Sequence, residues 1–204
     1  MKNTAICLGL VWLLSGCNGA ATTPTVIGSA GQTGGTYTIT FDGMDYTLPA
    51  AQQSTDATTG EDQWLGAGYA IVSYESDNAL ALAGTVNGDP VAGITGTPNG
   101  TAVGGASYTT NYQIGTPTGS ILSSTVTLTI DIDAETITGN NGASFVVNGD
   151  LSGADIGGSV DWQYFNGTSV VTETATLEGG LFGTDELAGV FHGDNYAGVL
   201  FGEK

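Results

Sequence analysis

The chain has 204 residues and 34 glycines, and its 20 acidic side chains face only 2 basic ones, for a formal net charge of −18. Affinity for the nucleic-acid backbone comes from Lys and Arg, so this balance excludes a nucleic-acid partner and disfavours docking on anionic head groups. Abundant Gly, Thr and Val suit short strands and tight turns rather than helices.

Lys2 precedes an apolar run over 5–14. A bilayer-spanning helix needs about 20 apolar residues; this run has the length of a secretion-signal core. It ends in Leu14-Ser15-Gly16-Cys17, small residues ahead of a thiol, which resembles a lipobox. The pattern predicts a lipoprotein signal peptide over 1–16 and Cys17 as the lipid-bearing first residue of the mature chain. Several acyl chains on one residue make a stable membrane anchor, and Asn18 in place of the Asp that retains lipoproteins at the inner membrane points to the outer membrane. Cys7 leaves with the signal and Cys17 is acylated, so no disulfide is expected.

Residues 17–35 are small and uncharged and read as a flexible lipid tether. Strands are predicted at 36–41 and 44–48, joined by Asp42-Gly43, a dipeptide suited to the positive φ of a hairpin turn. Residues 49–63 read as a loop, followed by strands at 66–74, 80–86 and 91–96, with Asn87-Gly88 as a second hairpin turn. Pro98-Asn99-Gly100 opens a further block. There Val126, Leu128, Ile130 and Ile132 alternate with Thr127, Thr129, Asp131 and Asp133, placing the aliphatics on one face of a strand. Strands follow at 137–139, 143–147, 159–165, 170–182, 187–191 and 196–201, with Asn148-Gly149 and Asn166-Gly167 as turns. The fold expected is all-β: a small antiparallel barrel of eight strands over 97–204, preceded by a handle-like sheet over 36–96.

Three segments resemble the β-barrel domain of transferrin-binding protein B and related surface lipoproteins. These are Ala106-Ser107-Tyr108; Leu128-Thr129-Ile130-Asp131-Ile132-Asp133 with Thr136-Ile137-Thr138-Gly139; and a terminal signature. The last comprises Gly180-Leu181-Phe182-Gly183, Glu186-Leu187-Ala188-Gly189-Val190-Phe191 and Gly198-Val199-Leu200-Phe201-Gly202-Glu203-Lys204. The family's Pro-Asn-Ala after the first glycine is missing here, and the loop at Thr184-Asp185 is shorter. The resemblance implies a single-lobe binding module, held at the outer membrane or cell surface by its lipid, with haem, an iron or haem protein, or another host or environmental protein as partner. A structural or protective envelope lipoprotein without a dedicated ligand is the alternative.

Individual residues point less sharply. His192, the single histidine, is either an axial haem or metal ligand or a solvent-facing strand end, and without a clustered partner it assigns no metal site. Asp131 and Asp133, with Glu135 beyond, are either a carboxylate pair or the solvated face of an amphipathic strand. Trp64, Trp162, Tyr69, Tyr74, Tyr108, Tyr112 and Tyr164 line either a binding face or the core. No nucleophile elbow, zinc ligand set or phosphate loop is present, so neither an enzyme nor a bound cofactor is expected.

Overall fold

The computed structural model describes residues 27–48, 53–55 and 62–204. The expected signal over 1–16, Cys17 and the tether up to residue 26 lie outside them. Every regular element among the described residues is a strand.

Three sheets form. β1 (Ser29–Thr33), β2 (Thr36–Phe41) and β3 (Met44–Leu48) make a small antiparallel sheet. Its β2–β3 turn is the expected Asp42-Gly43, with φ of 49° and 75°. β4 (Gln53–Thr55), β5 (Asp62–Gly66), β6 (Tyr69–Glu75), β7 (Ala79–Val86) and β8 (Asp89–Gly96) make a five-stranded sheet in chain order. β9 (Ser107–Gly115), β10 (Ile121–Asp131), β11 (Thr136–Asn141), β12 (Phe145–Ser152), β13 (Asp155–Phe165), β14 (Val170–Phe182), β15 (Glu186–His192) and β16 (Ala197–Glu203) close into an eight-stranded antiparallel barrel, with β16 pairing back onto β9.

Alternation decides what each face meets. Inside the barrel, Tyr108, Ile114, Leu128, Ile137, Val147, Val160, Leu177, Phe191 and Leu200 form one buried cluster. A void among Leu128, Ile137, Val147, Leu177 and Leu200 is only about 10 Å³, the lower limit for one water, and the side chains around it are buried, so the interior is a packed core. The five-stranded sheet works on two sides. Ala81, Ala83, Val72 and Ala92 pack on the outward-facing Val190, Ala197, Val199 and Phe201 of the barrel wall. Ile71, Leu82, Val91 and Trp64 pack on Ala30, Tyr37, Ile39 and Leu48 of the small sheet. The result is a stack of small sheet, five-stranded sheet and barrel.

Small residues set the spacing of these layers. A Cβ on Gly115 of the barrel would lie 1.9 Å from the Ala70 carbonyl oxygen and 2.6 Å from the Gly84 Cα, so there backbone meets backbone. A Cβ on Gly93 would lie 2.7 Å from Ser29, where β1 crosses β8. Polar pins complete the seams. Glu186 accepts hydrogen bonds from Tyr74 Oη (3.1 Å) and Asn78 Nδ2 (3.2 Å), and Thr85 Oγ1 donates to the Thr116 carbonyl at 2.8 Å.

Several boundaries differ from the sequence reading. The tether expected over 17–35 is shorter: Ile27 is buried and Ser29–Thr33 is a strand, with Thr95 Oγ1 bonded to the Ala30 carbonyl. The loop expected over 49–63 contains β4 and the start of β5. Asn148-Gly149 is not a turn but the middle of β12, paired with Ser159 and Gly158. Gly149 is needed because a Cβ there would lie 2.7 Å from the Ile137 side chain. Ile132 does not continue the buried row of Val126, Leu128 and Ile130, because β10 ends at Asp131 and leaves Ile132 48 % exposed.

Candidate functional site: a charge-poor barrel rim

Alternate hairpins of an up-and-down barrel lie at the same end, so the barrel has two distinct rims. One is crossed by residues 97–105, which run from β14 to β10 on the opposite wall. Asn99 N and Gly100 N donate to the Leu181 carbonyl (3.1 and 2.8 Å), and Gly105 N donates to that of Ile130 (2.9 Å). This strapped rim gathers Asp131, Asp133, Glu135, Asp150, Asp155, Asp185, Glu186 and Glu203 on its turns and strand ends. Charge that is evenly spread along the chain is thus concentrated in space. An open cleft of about 360 Å³ lies between the strap and two turns, walled by Ala102, Ile132, Leu151 and Ala154, with Glu135 as its one charged group.

The opposite rim carries the turns 116–120, 142–144, 166–169 and 193–196, in which Asp194 is the only charged residue; with Asp161 and Glu173 on the strands that reach it, it holds three carboxylates against the eight of the strapped rim. β13 and β14 overhang it. Pairing of β12 with β13 stops at Phe145↔Trp162, and pairing of β14 with β15 stops at Thr176↔His192. The β13–β14 ladder itself runs on to Phe165↔Val170. Asn166 Oδ1 shapes the tip by accepting from the Thr168 and Ser169 amides at 3.0 Å each. Phe165 and Val170, facing each other across the ladder, are 67 % and 66 % exposed, more than any other large apolar side chain among the described residues.

Behind this tip lies an aromatic layer on the inner face. Tyr112 stacks on Phe145 at 3.7 Å, Phe145 meets Phe191 edge-on at 5.7 Å, and Tyr196 stands edge-on to Trp162 at 4.6 Å. Tyr164 stacks on Trp162 at 4.9 Å and forms the outermost ring. Glu173 ties the layer to the last turn. Its carboxylate accepts from Asn195 N and Nδ2 (2.8 Å each) and from Tyr164 Oη (3.2 Å), and its carbonyl accepts from Tyr196 Oη (3.0 Å). Gly193 allows that approach, since a Cβ there would lie 2.5 Å from a Glu173 oxygen. Burial is the main cause, and the Glu173 charge the second, that holds the Tyr164 and Tyr196 phenols above their ordinary range. These phenols are donors, not bases.

The other singled-out residues fall elsewhere. Cys17, the expected lipidation site, lies outside the described residues. His192 ends β15, as one of the two readings had it, and is half-buried there: its ring packs on Phe41 at 4.6 Å, and Nε2 lies 3.1 Å from the Pro90 carbonyl. Asp131 and Asp133 do not share a strand face. Asp131 shapes the β10–β11 turn, accepting from the Asp133 and Ala134 amides at 3.1 and 3.0 Å. Trp64 is buried between the two sheets with Tyr37 edge-on at 4.9 Å, Tyr69 packs against the same cluster, and Tyr74 stacks on Phe201 at 4.6 Å. Tyr108 and Tyr112 are inside the barrel. Of the aromatics named from sequence, Trp162 and Tyr164 alone reach a rim. The overhang itself had no sequence signal beyond the unusual length of the 170–182 strand.

With a filled interior, the fold defines a class: a closed eight-stranded antiparallel β-barrel with an appended two-sheet unit. No family model matches the chain, and no curated protein matches it.

Proposed function

We propose that this chain is a lipoprotein, anchored in the outer membrane through Cys17, whose barrel holds a protein partner at the charge-poor rim. The resemblance of 97–204 to the barrel of transferrin-binding protein B and its relatives supports the binding role. An iron or haem protein is the partner class that resemblance suggests. The observation that carries the reading is the asymmetry of the barrel: a carboxylate-rich rim opposite a charge-poor one tipped by Phe165 and Val170. Exposed aromatic and aliphatic side chains make good interface anchors. Free haem suits the chain less well than a haem protein, since the barrel interior is filled by buried side chains and His192 is engaged by Phe41 and Pro90.

The test uses the full-length protein displayed on cells and soluble haemoglobin and transferrin as probes. Binding is expected to weaken about tenfold or more in the double variant Phe165→Ser, Val170→Ser, because each buried apolar side chain contributes on the order of 1.5–3 kcal/mol. Replacing Cys17 by Ser is expected to release the protein from the membrane fraction. Absence of binding to both probes, with a deletion strain that grows normally under iron limitation but fails under envelope stress, would replace this reading with a structural envelope role.

A further inference from the structure

We propose that the open edge of β14, residues 170–175, takes up an extended segment of the partner in which apolar and cationic side chains alternate, so that the partner adds a strand beside the overhanging hairpin; this rests on the reading of the charge-poor rim as the contact surface.

The edge follows from strand lengths. β15 pairs with β14 only as far as Thr176↔His192, and the chain then turns back into β16. β14 continues to Val170 with β13 as its one strand neighbour. At about 3.3 Å per residue, the uncovered edge is roughly 20 Å long. Which backbone groups face outward can be read from the ladder. Gln163 N donates to the Ser144 carbonyl, towards β12. Strand alternation therefore turns Trp162 and Tyr164 towards β14, where they meet Glu173 and Val171. The N–H and C=O groups of Thr172 and Thr174 then point to the open side.

Natural sheets blunt such edges with Lys, Pro, bulges or a covering segment. The edge sequence Val-Val-Thr-Glu-Thr-Ala contains no Lys, Pro or Gly. It is a strand-forming run with a single charge, left at the tip of a rim that bears the most exposed apolar pair. Strand addition to an open edge uses main-chain hydrogen bonds for affinity and alternate side chains for specificity.

The side chains flanking the edge specify the occupant. Val170 and Thr172 project outward, on the face carrying Phe165, and Glu173 projects inward towards the mouth. An added strand places successive side chains on these two faces in turn: apolar ones beside Val170 and Phe165, cationic ones towards Glu173. Asp161 lies on the outward face, where its Oδ1 accepts from Thr174 Oγ1 at 2.6 Å, so the carboxylate turned to the mouth is that of Glu173, with Asp194 on the adjacent turn. A second copy of this chain is a poor occupant, since its only cations are Lys2 and Lys204 in a chain of net charge −18. Copy-on-copy pairing would bring like carboxylates together.

The experiment adds synthetic octapeptides to the full-length protein in detergent: alternating Val-Lys, alternating Val-Glu, and Val-Lys with two prolines that cannot pair. Amide hydrogen exchange over 170–175 is the readout. The Val-Lys peptide is expected to slow exchange at Thr172 and Thr174 about tenfold or more, and the other two to leave it unchanged. Thr172→Pro removes an outward N–H at a position where an edge strand tolerates Pro, and is expected to weaken the peptide about tenfold. If that variant fails to fold, Thr172→Lys blocks the edge by charge instead, with the same expectation. Equal protection by the Val-Glu peptide overturns the charge assignment. A concentration-dependent dimer abolished by Thr172→Pro gives the edge to a second copy and overturns the proposal. If partner binding is lost in the Phe165, Val170 double variant yet intact in Thr172→Pro, the rim stands as contact surface and strand addition falls.

Discussion

Gly115→Ala tests whether the five-stranded sheet and the barrel form one rigid seam. The added Cβ would sit 1.9 Å from the Ala70 carbonyl oxygen and 2.6 Å from the Gly84 Cα. Both are backbone atoms, in two different strands, so neither can rotate away as the end of a side chain would. Overpacking in a well-filled interior costs about 1–3 kcal/mol; with two immovable neighbours the expected cost is about 3 kcal/mol. For a fold of this size each kcal/mol lowers the melting temperature by about 2–4 °C, so a drop of about 6–12 °C is expected by circular dichroism. Gly157→Ala is the matched control. It is also a barrel-strand glycine, with no atom within 4 Å of an added Cβ and no positive φ, and is expected to be neutral or stabilising by up to about 1 kcal/mol. A Gly115→Ala protein melting within about 2 °C of the parent would refute the close seam.

Two pH effects follow from buried groups. Glu178 accepts from Ile27 N at 3.0 Å, but its other carboxylate oxygen is buried without a partner among the described residues, and burial raises its pKa despite the Ile27 hydrogen bond. The folded state therefore holds this proton to higher pH than the unfolded chain. The contribution of Glu178 to stability is full below the ordinary carboxylate range and is lost as pH rises through the raised value. Denaturant titrations from pH 4 to 7 are expected to show this fall in the parent and a shallower one in Glu178→Gln; parallel curves would contradict it. Tyr37, Tyr74 and Tyr196 all have phenol pKa values raised chiefly by burial, with carboxylates nearby adding to the shift. Ionising them is easier in the unfolded chain, so stability is expected to fall as pH rises above about 10. Phenolate absorbance should appear in step with loss of near-ultraviolet circular dichroism, and non-cooperative titration of all eight tyrosines would contradict this.

Elements whose signal is local were legible in the sequence, and those defined by a distant neighbour were not. The buried row Val126, Leu128, Ile130 was plain from alternation, as were the turns at Asp42-Gly43, Asn87-Gly88 and Asn166-Gly167. The same turn chemistry misled at Asn148-Gly149, because the need for a small residue there comes from Ile137 on the next strand. β1, sequence Ser-Ala-Gly-Gln-Thr, has too little apolar character to announce a strand; its docking site is made by Gly93 and Thr95, far along the chain. His192 was seen from sequence but not its use, since Phe41 and Pro90 reach it only through the stacking of the layers. The rim was not legible because an overhang is a difference between the lengths of neighbouring strands.

On the proposed reading, the two rims let a chain of net charge −18 present a surface for close contact. Self-repulsion keeps such a chain soluble, yet a carboxylate beside an apolar anchor would have to be desolvated on binding. The fold separates the two demands. Most carboxylates of the barrel lie at strand ends and turns on the strapped rim, while Phe165 and Val170 lie at the far end of long strands. At about 0.15 M salt the Debye length is about 8 Å, whereas β14 alone, at about 3.3 Å per residue over 13 residues, runs roughly 40 Å before tilt. The acidic rim is therefore electrostatically silent at the hairpin tip under physiological salt. Long-range attraction of a cationic partner belongs to the whole chain and fades with salt; the fit at the tip depends on Phe165, Val170, Glu173 and the open edge. On that reading association rates should fall steeply with ionic strength while dissociation rates change less, because among the contacts that must break the one to Glu173 alone is ionic.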